Sequence, residues 1–272
     1  MSTVITIIRS EITKIRSLPS IWIVTAALLA LAAYFQFLLT DSIHEYLKTL
    51  DGDGMHWWYR RPVPADLSIM EDISGTVFGP GLFFPLLGAV IAGAEFRAGQ
   101  LGVSVVAVPR RIRLVIGKII AVTFAALAFG LLFSLMTLFF AYLGIKEWMP
   151  GLIWRPEVLS GLAGSVVFIV VMTLIAFGVT LITRRTMFGI LIMMGFHAIL
   201  LTQAFSAISP ILDAVTPMSA ARNLWLQAGK LTDVGGGPPF SSSPTVAAIV
   251  LAVWVVAVLI GAVVAIQRRD AR

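Results

Sequence analysis

Few side chains in this 272-residue chain have the spacing that a catalytic or nucleotide-binding site would need. A phosphate-binding loop ends in glycine, lysine and then serine or threonine, but Gly117-Lys118 and Gly229-Lys230 each precede a large apolar residue. The sequence has no H-E-x-x-H zinc motif, no G-x-S-x-G nucleophile motif and no cysteine. We therefore predict that the chain is not an enzyme and has no catalytic, cofactor-binding or metal-binding residues of its own.

The elements that hold the remaining polar residues are mostly apolar. The chain is 58% hydrophobic and 12% charged, whereas a soluble domain has about 25% charged residues. Six stretches contain the roughly 20 apolar residues that a helix needs to cross a bilayer. They predict an all-α integral membrane protein that forms a single transmembrane domain over residues 1–272. The predicted spans are residues 20–39, 74–94, 114–143, 158–183, 187–208 and 245–266.

Ionisable side chains are nearly missing from these six stretches. Lys118 lies near the inner end of the third, and His197 lies within the fifth. Ion-driven transporters use buried ionisable groups as relays or ion sites. For a single histidine, a hydrogen bond to a neighbouring helix and a proton relay are the two interpretations. The energy for any uphill transport is therefore expected to come from a partner.

The distribution of lysine and arginine predicts the orientation of the spans. With the N-terminus in the cytoplasm, the inner segments carry 13 of the 20 basic residues and only three of the 14 acidic ones. The C-terminus is then also cytoplasmic, and residues 40–73 and 209–244 form extracytoplasmic loops. The net charge of +6 follows from topology, so we expect no nucleic-acid partner. The predicted location is the cytoplasmic membrane of a bacterium, as a multi-pass protein.

The N-terminal segment, residues 1–18, predicts an amphipathic helix that lies on the cytoplasmic face of the membrane. Apolar residues from Val4 to Leu18 share one arc at 100° per residue, and Arg9, Lys14 and Arg16 lie opposite. Glu11 falls inside the apolar arc. It either contacts a basic residue of the next cytoplasmic loop or of a partner, or it reaches the edge of the arc to meet water.

The loop after the second span is the most charged cytoplasmic segment. It reads Ala94-Glu95-Phe96-Arg97-Ala98-Gly99-Gln100 and later Pro109-Arg110-Arg111-Ile112-Arg113, with Lys118 in the third span. The chain also has a Ser10–Ser17 opening, an Arg184-Arg185 turn and an Arg268-Arg269-Asp270 ending. The order of these motifs resembles the type-2 membrane-subunit family of ATP-binding-cassette (ABC) exporters over nearly the whole length.

The resemblance implies a coupling helix in the cytoplasmic loop between the second and third spans. In that family this helix seats in a separate ATPase subunit, and the N-terminal helix packs beside it. Two ATPase copies would bind ATP and Mg²⁺, and the chain would pair with a second copy of itself or with a related permease. A basic loop that only sets topology and contacts anionic membrane lipid is the alternative. The residues that the resemblance assigns to coupling are Glu11, Lys14, Glu95, Phe96, Arg97, Gly99, Pro109, Arg110 and Arg111.

The same resemblance implies a substrate path, because the second and fifth spans of that family line it at a dimer interface. The residues that would line it are otherwise core or lipid contacts; they are Phe83, Phe84, Met193, Met194, Gln203 and Phe205. A path with so few charges suits a hydrophobic or amphipathic substrate such as a drug, a peptide antibiotic or a lipid-like molecule. The hypothesis is the permease subunit of a multidrug-type ABC exporter. The alternative is a partner-free facilitator or a membrane scaffold or sensor protein.

Overall fold

The computed structural model describes residues 4–58, 61–97, 111–202, 204–225 and 242–268. Five helical stretches within these ranges are long and apolar enough to cross a membrane: Pro19–Lys48, Ala65–Ala94, Ile112–Ile145, Pro156–Thr183 and Pro244–Arg268. The chain is therefore a multi-pass helical membrane protein, and the prediction of an α-helical membrane protein is confirmed at that level.

The N-terminal segment forms helix α1, Val4–Ser17, which buries Ile7 and Glu11. Helix α2, Pro19–Lys48, follows at once, and Pro19 occupies its first turn, where a missing N–H does no harm. We predicted that the first span would end at residue 39. The helix instead continues for more than two further turns, because Ile43 packs in a second core cluster with Ile69 and Ile145.

The segment after α2 is more ordered than the predicted loop over residues 40–73. Strand β1, Met55–Trp58, pairs antiparallel with β2, Arg61–Pro64, so a small hairpin joins the otherwise helical structure. Gly54, with a φ of 76°, precedes the hairpin in a conformation that glycine adopts readily. Trp57 on β1 is 61% exposed, and exposed tryptophans of membrane proteins often lie at the interface between lipid and water.

The second span consists of three helical pieces, α3 (Ala65–Gly75), α4 (Phe78–Gly81) and α5 (Pro85–Ala94). Pro80 and Pro85 have no backbone N–H, which explains why regular helical hydrogen bonding stops around them. Helix α5 packs closely on the fourth span at Gly88. A Cβ there would collide with the carbonyl oxygen of Thr173 and would lie 2.9 Å from the amide nitrogen of Phe177.

The third and fourth spans contain the longest described helices that follow residues 98–110, which lie outside the described residues. Helix α6 is Arg111–Ile145, a 3-10 turn follows at Pro150–Trp154, and helix α7 is Pro156–Thr183. They meet the second span around Phe84, whose ring makes edge-on contacts with those of Phe129, Phe133 and Phe168. This aromatic group forms the centre of the main hydrophobic core.

The remaining helices begin after Arg184, which ends α7 in a left-handed conformation with a φ of 57°. Helix α8 is Thr186–Leu201, α9 is Ala204–Ile208, α10 is Pro210–Ala214, α11 is Pro217–Trp225 and α12 is Pro244–Arg268. We predicted one continuous span over residues 187–208. Helix α8 has 16 residues, which extend for about 24 Å, less than the roughly 30 Å of a typical hydrocarbon core.

Candidate functional site

Four charged side chains meet where the N-terminal helix crosses the bundle, and we call Glu11, Lys14, Glu95 and Lys118 the charge cluster. Glu11 and Lys14 lie on α1, Glu95 caps the C-terminal end of α5, and Lys118 lies in the second turn of α6. The cluster therefore joins three separate segments of the chain.

The four charges alternate in sign around a closed ring. The Lys118 ammonium nitrogen lies 2.9 Å from each Glu11 carboxylate oxygen and 2.7 Å from Glu95 Oε2. The Lys14 ammonium nitrogen lies 2.9 Å from Glu95 Oε1 and 3.7 Å from Glu11 Oε1. Each cation thus contacts both anions, and the cluster has no net charge.

The cluster lies inside the protein. The side chains of Lys118 and Glu95 are 2% and 4% exposed, and only Lys14 reaches solvent appreciably, at 25%. Burying one unpaired charge costs several kcal/mol even after relaxation of the surroundings. Each charge in the cluster is therefore stabilised only while its oppositely charged partners are present. Their pairing ties α1 to the ends of the second and third spans.

Opposite charges in the cluster keep Glu95 and Lys14 ionised at neutral pH. Burial alone would raise the pKa of Glu95, but the ammonium groups of Lys118 and Lys14 outweigh it and hold that pKa below its usual value. Burial alone would lower the pKa of Lys14, but Glu95 and Glu11 outweigh it and raise that pKa. Both groups therefore remain charged over the physiological range.

The packing beside the cluster fixes the position of α1. A Cβ at Gly117 would approach Ile7 Cγ2 to 2.5 Å, so the helices touch where glycine precedes Lys118. The indole nitrogen of Trp22 donates a hydrogen bond to the carbonyl oxygen of Arg16 at 2.8 Å, which joins the last turn of α1 to α2. Apolar contact and hydrogen bonding therefore seat α1 on either side of the charge cluster.

The structure brings together three of the residues that we assigned to coupling. Glu11, Lys14 and Glu95 are in the cluster, whereas Arg97 is exposed and Phe96 packs against the hydrophobic core. Gly99, Pro109 and Arg110 lie outside the described residues, as does the predicted coupling helix. Arg111 begins α6, and its side chain is not described.

The outcome for Glu11 differs in detail from both interpretations of the sequence. Glu11 has a basic partner, but that partner is Lys118 in the third span and not a residue of the loop. Sequence reasoning marked Lys118 as the only basic residue in a span and did not place it in the site. Its position in an otherwise apolar helix was the signal that could have found it.

The predicted path residues occupy different environments within the single chain. Phe84 is fully buried in the aromatic group, and Met193 is buried against Ile175 and Ala176. Phe83 and Phe205 are half-buried at the edge of the main core, and Met194 is half-buried on α8. Gln203 lies outside the described residues. In this arrangement Phe84 and Met193 contact the chain's own core.

The deep polar groups of the spans bond to other helices. His197 Nδ1 lies 2.8 Å from the carbonyl oxygen of Met193, and its Nε2 lies 3.1 Å from the Met172 sulfur on α7. Gln36 on α2 donates a hydrogen bond to the Thr137 hydroxyl on α6 at 2.8 Å. These contacts favour a structural role for His197 over a proton relay.

A second polar group on the far side of the bundle was missed from the sequence. Arg155 donates to Asp66 at 2.8 Å, and the Tyr46 hydroxyl donates to Asp72 at 2.8 Å. His56 Nε2 lies 2.7 Å from the Ser68 hydroxyl, and burial lowers the pKa of His56. These pairs fix the hairpin and α3 to α2 and to the start of α7.

No protein-family model matches the chain, and no curated protein matches it. The resemblance to the type-2 ABC exporter family stays a prediction from the sequence motifs.

Proposed function

We propose that the chain is the membrane-spanning permease subunit of an ATP-driven ABC exporter in a bacterial cytoplasmic membrane. Its substrate is hydrophobic or amphipathic, and ATP hydrolysis takes place on two copies of a separate ATPase subunit. A second copy of the chain, or a related permease, completes the path. Six spans with both termini in the cytoplasm are part of this proposal, with α8 as the shorter fifth span.

The observation that carries the proposal is the charge cluster. Glu95 ends the second span and Lys118 lies near the start of the third, so the cluster brackets residues 98–110, which the sequence predicts as part of a cytoplasmic loop. A mechanical input needs a rigid element through which a displacement reaches the spans. Pairing Glu95 and Lys118 with α1 supplies such an element at the two points where the loop enters the membrane.

The sparse titratable groups of the spans support an external source of energy. Lys118 is the one Asp, Glu, Lys or Arg in the six spans predicted from the sequence, and it pairs with Glu11 and Glu95. The second span in the structure also includes three carboxylates in α3, and two of them, Asp66 and Asp72, pair with side chains of other elements. We therefore assign the source of energy to the ATPase partner and not to an ion gradient.

The test first asks whether an adjacent reading frame in the genome encodes a soluble ATPase with the phosphate-binding motif, since its absence would weaken the proposal. That ATPase is then produced together with the chain, and the complex is purified in nanodiscs. Its ATPase rate should rise several-fold in the complex, and inverted vesicles should accumulate an amphipathic dye only with ATP. Replacing Glu95→Gln, or Arg110 and Arg111 by alanine, should reduce this stimulation. Glu45→Gln is the matched control, since Glu45 pairs with Lys48 in an exposed position distant from the cluster.

Two results would overturn the proposal. One is full stimulation of a bound ATPase by the Glu95→Gln and Arg110/Arg111 variants. The other is uphill transport by the purified chain alone in liposomes when only an ion gradient is supplied, which would favour the partner-free facilitator.

A further inference from the structure

An apolar groove of about 280 Å³ lies beside α1, on the same side of the bundle as the charge cluster. The side chains that line it include Ile12 and Ile15 of α1, Ile21 and Trp22 of α2, and Phe124 and Phe129 of α6. Its volume is close to the lower end of the range for ligand sites, which begins at about 300 Å³.

The groove opens to the outside of the bundle. Trp22 is 58% exposed and Phe124 is 57% exposed, so large apolar side chains line an open cleft and do not fill it. These residues belong to two membrane-spanning helices, and the medium that meets them is therefore the bilayer. An occupant must be apolar along most of its length.

The length of the groove matches one leaflet. Its lining along α6 runs from Ala121 to Leu132, which is about 16 Å at a rise of 1.5 Å per residue. Half of a typical hydrocarbon core is about 15 Å. An acyl chain that enters at the membrane surface would end near the bilayer centre, beside Leu132.

One charged residue lies at the mouth. Arg16, in the last turn of α1, lines the groove and is exposed. In the part of the chain that the structure describes, no carboxylate forms an ion pair with its guanidinium, in contrast to Lys14, which lies within the charge cluster. A guanidinium at this level is complementary to a phosphate group.

We infer that this groove binds one acyl chain of an anionic phospholipid, whose phosphate meets Arg16. The apolar groove has the length of an acyl chain in one leaflet, and the guanidinium at its mouth matches the negative charge of an anionic headgroup. A second copy of the chain, which would present an apolar helix face, leaves the guanidinium unmatched. The bound lipid fills the space between α1, α2 and α6 and so supports the seat of α1. The inference does not require an ATPase partner.

The test uses full-length protein in vesicles of phosphatidylethanolamine with a minority of phosphatidylglycerol. The probe is phosphatidylglycerol with a photoactivatable group midway along one acyl chain, and crosslinked peptides are mapped by mass spectrometry. Crosslinks should concentrate on α2 and α6 at the groove. An Ala128→Phe substitution fills the groove and should reduce their yield several-fold. Ala252→Phe, at an exposed position on α12 away from the groove, is the matched control.

A separate pair of variants tests the contact between Arg16 and the phosphate of the lipid headgroup. Arg16→Gln should remove the preference for phosphatidylglycerol over a phosphatidylcholine probe, while Arg9→Gln, exposed on the same helix, should preserve it. Equal crosslinking yields from the Ala128→Phe and Ala252→Phe proteins would overturn the inference, as would crosslinks spread evenly over all lipid-facing helices. Peptides of a second copy found in the groove would assign it to a subunit interface instead.

Discussion

The charges alternate in the ring of Glu11, Lys14, Glu95 and Lys118. Removing one member therefore destabilises the ring by an amount that depends on which member is removed. Removing Lys118 leaves two carboxylates that share a single, partly exposed cation. Removing Glu11 leaves Lys118 paired with Glu95 at 2.7 Å. The ring therefore depends most on Lys118.

We expect Lys118→Met to destabilise the seat of α1 by about 3–5 kcal/mol, the usual result of breaking a buried ion pair on one side. The measurement is the thermal midpoint of the detergent-solubilised protein together with hydrogen exchange of the α1 amides. The double variant Glu11→Gln/Lys118→Met should lose less than the sum of the single variants, because Lys14 and Glu95 remain paired. Lys48→Met, which removes an exposed ion pair, is the control and should have no measurable effect. Additive losses in the double variant would contradict the ring.

The attachment of α1 should also depend on pH at the extremes only. The pKa of Glu95 is held below its usual 4.5, so its contribution is complete above about pH 4.5 and is lost as pH falls through the lowered value. The pKa of Lys14 is raised above its usual 10.5, so its contribution is complete below that value and is lost as pH rises further. Hydrogen exchange of α1, corrected for intrinsic rates, should be constant between about pH 5 and pH 10. A Glu95→Gln variant should lack much of the acid-side loss, and a transition near neutral pH would contradict the assignment.

At the residue scale, the sequence pointed to individual members of the charge cluster but not to the contacts between them. Glu11 stood out as a charge in an apolar arc, and Lys118 as a charge in an apolar helix, because hydrophobic patterning exposes any charge that breaks it. That they contact each other required the crossing of α1 over α6. Residues 107 positions apart meet there, and no local pattern encodes their contact.

The location of each long helix and the location of its ends depend on different features of the chain. Composition located the long helices because a stretch of apolar residues is sufficient to predict a span. Their limits depend on tertiary contacts, as in α2, whose last turns pack against α3 and the end of α6 through Ile43. The prolines of the second span were visible in the sequence, but their effect on its helical continuity was not inferred.

The close approach of α5 and α7 gives a prediction for Gly88. An added methyl group would meet backbone atoms of Thr173 and Phe177, which cannot rotate away as a flexible side chain can. We expect Gly88→Ala to destabilise the protein by about 1–3 kcal/mol, the usual range for overpacking. Thermal unfolding in detergent measures the change. Gly195→Ala in α8 is the control, because nothing lies within 4 Å of its added Cβ; equal midpoints for the two variants would contradict the packing.

At the scale of the whole molecule, the number of crossings depends on α8. If this short helix crosses, the described ends, residues 4 and 268, lie on the same side of the membrane. If it does not, they lie on opposite sides. The lack of native cysteines makes the question easy to test, since any introduced thiol is unique.

We expect a membrane-impermeant maleimide to label Gly52→Cys and Ser243→Cys in intact cells. Thr13→Cys and Gln267→Cys should react only after the membrane is permeabilised. All four positions are exposed, so a lack of reaction in intact cells reports sidedness and not burial. Labelling of Gln267→Cys in intact cells, with Ser243→Cys protected, would show that α8 does not cross and that the chain has five spans.

The orientation rests on a sum over many charged residues and stays a prediction, whereas the helical class could be predicted because it follows from a sum over many apolar residues. The hairpin formed by β1 and β2 and the interrupted fifth stretch could not be predicted, because each depends on a few local contacts. The hairpin is held in part by His56 against Ser68, and the end of α10 contacts α12 where Trp254 donates to the carbonyl oxygen of Val215 at 2.8 Å. Such contacts override the average apolar character from which spans are predicted.

The broken second span has a consequence for how far a displacement can travel. Helix α5 covers only Pro85–Ala94, about 15 Å of regular helix, and Gly88 locks it against α7. Under the proposed function, a displacement of Glu95 would move α5 together with α7. Helix α7 is continuous, and Arg155 at its start pairs with Asp66 of α3, so the same displacement would also reach the other end of the second span.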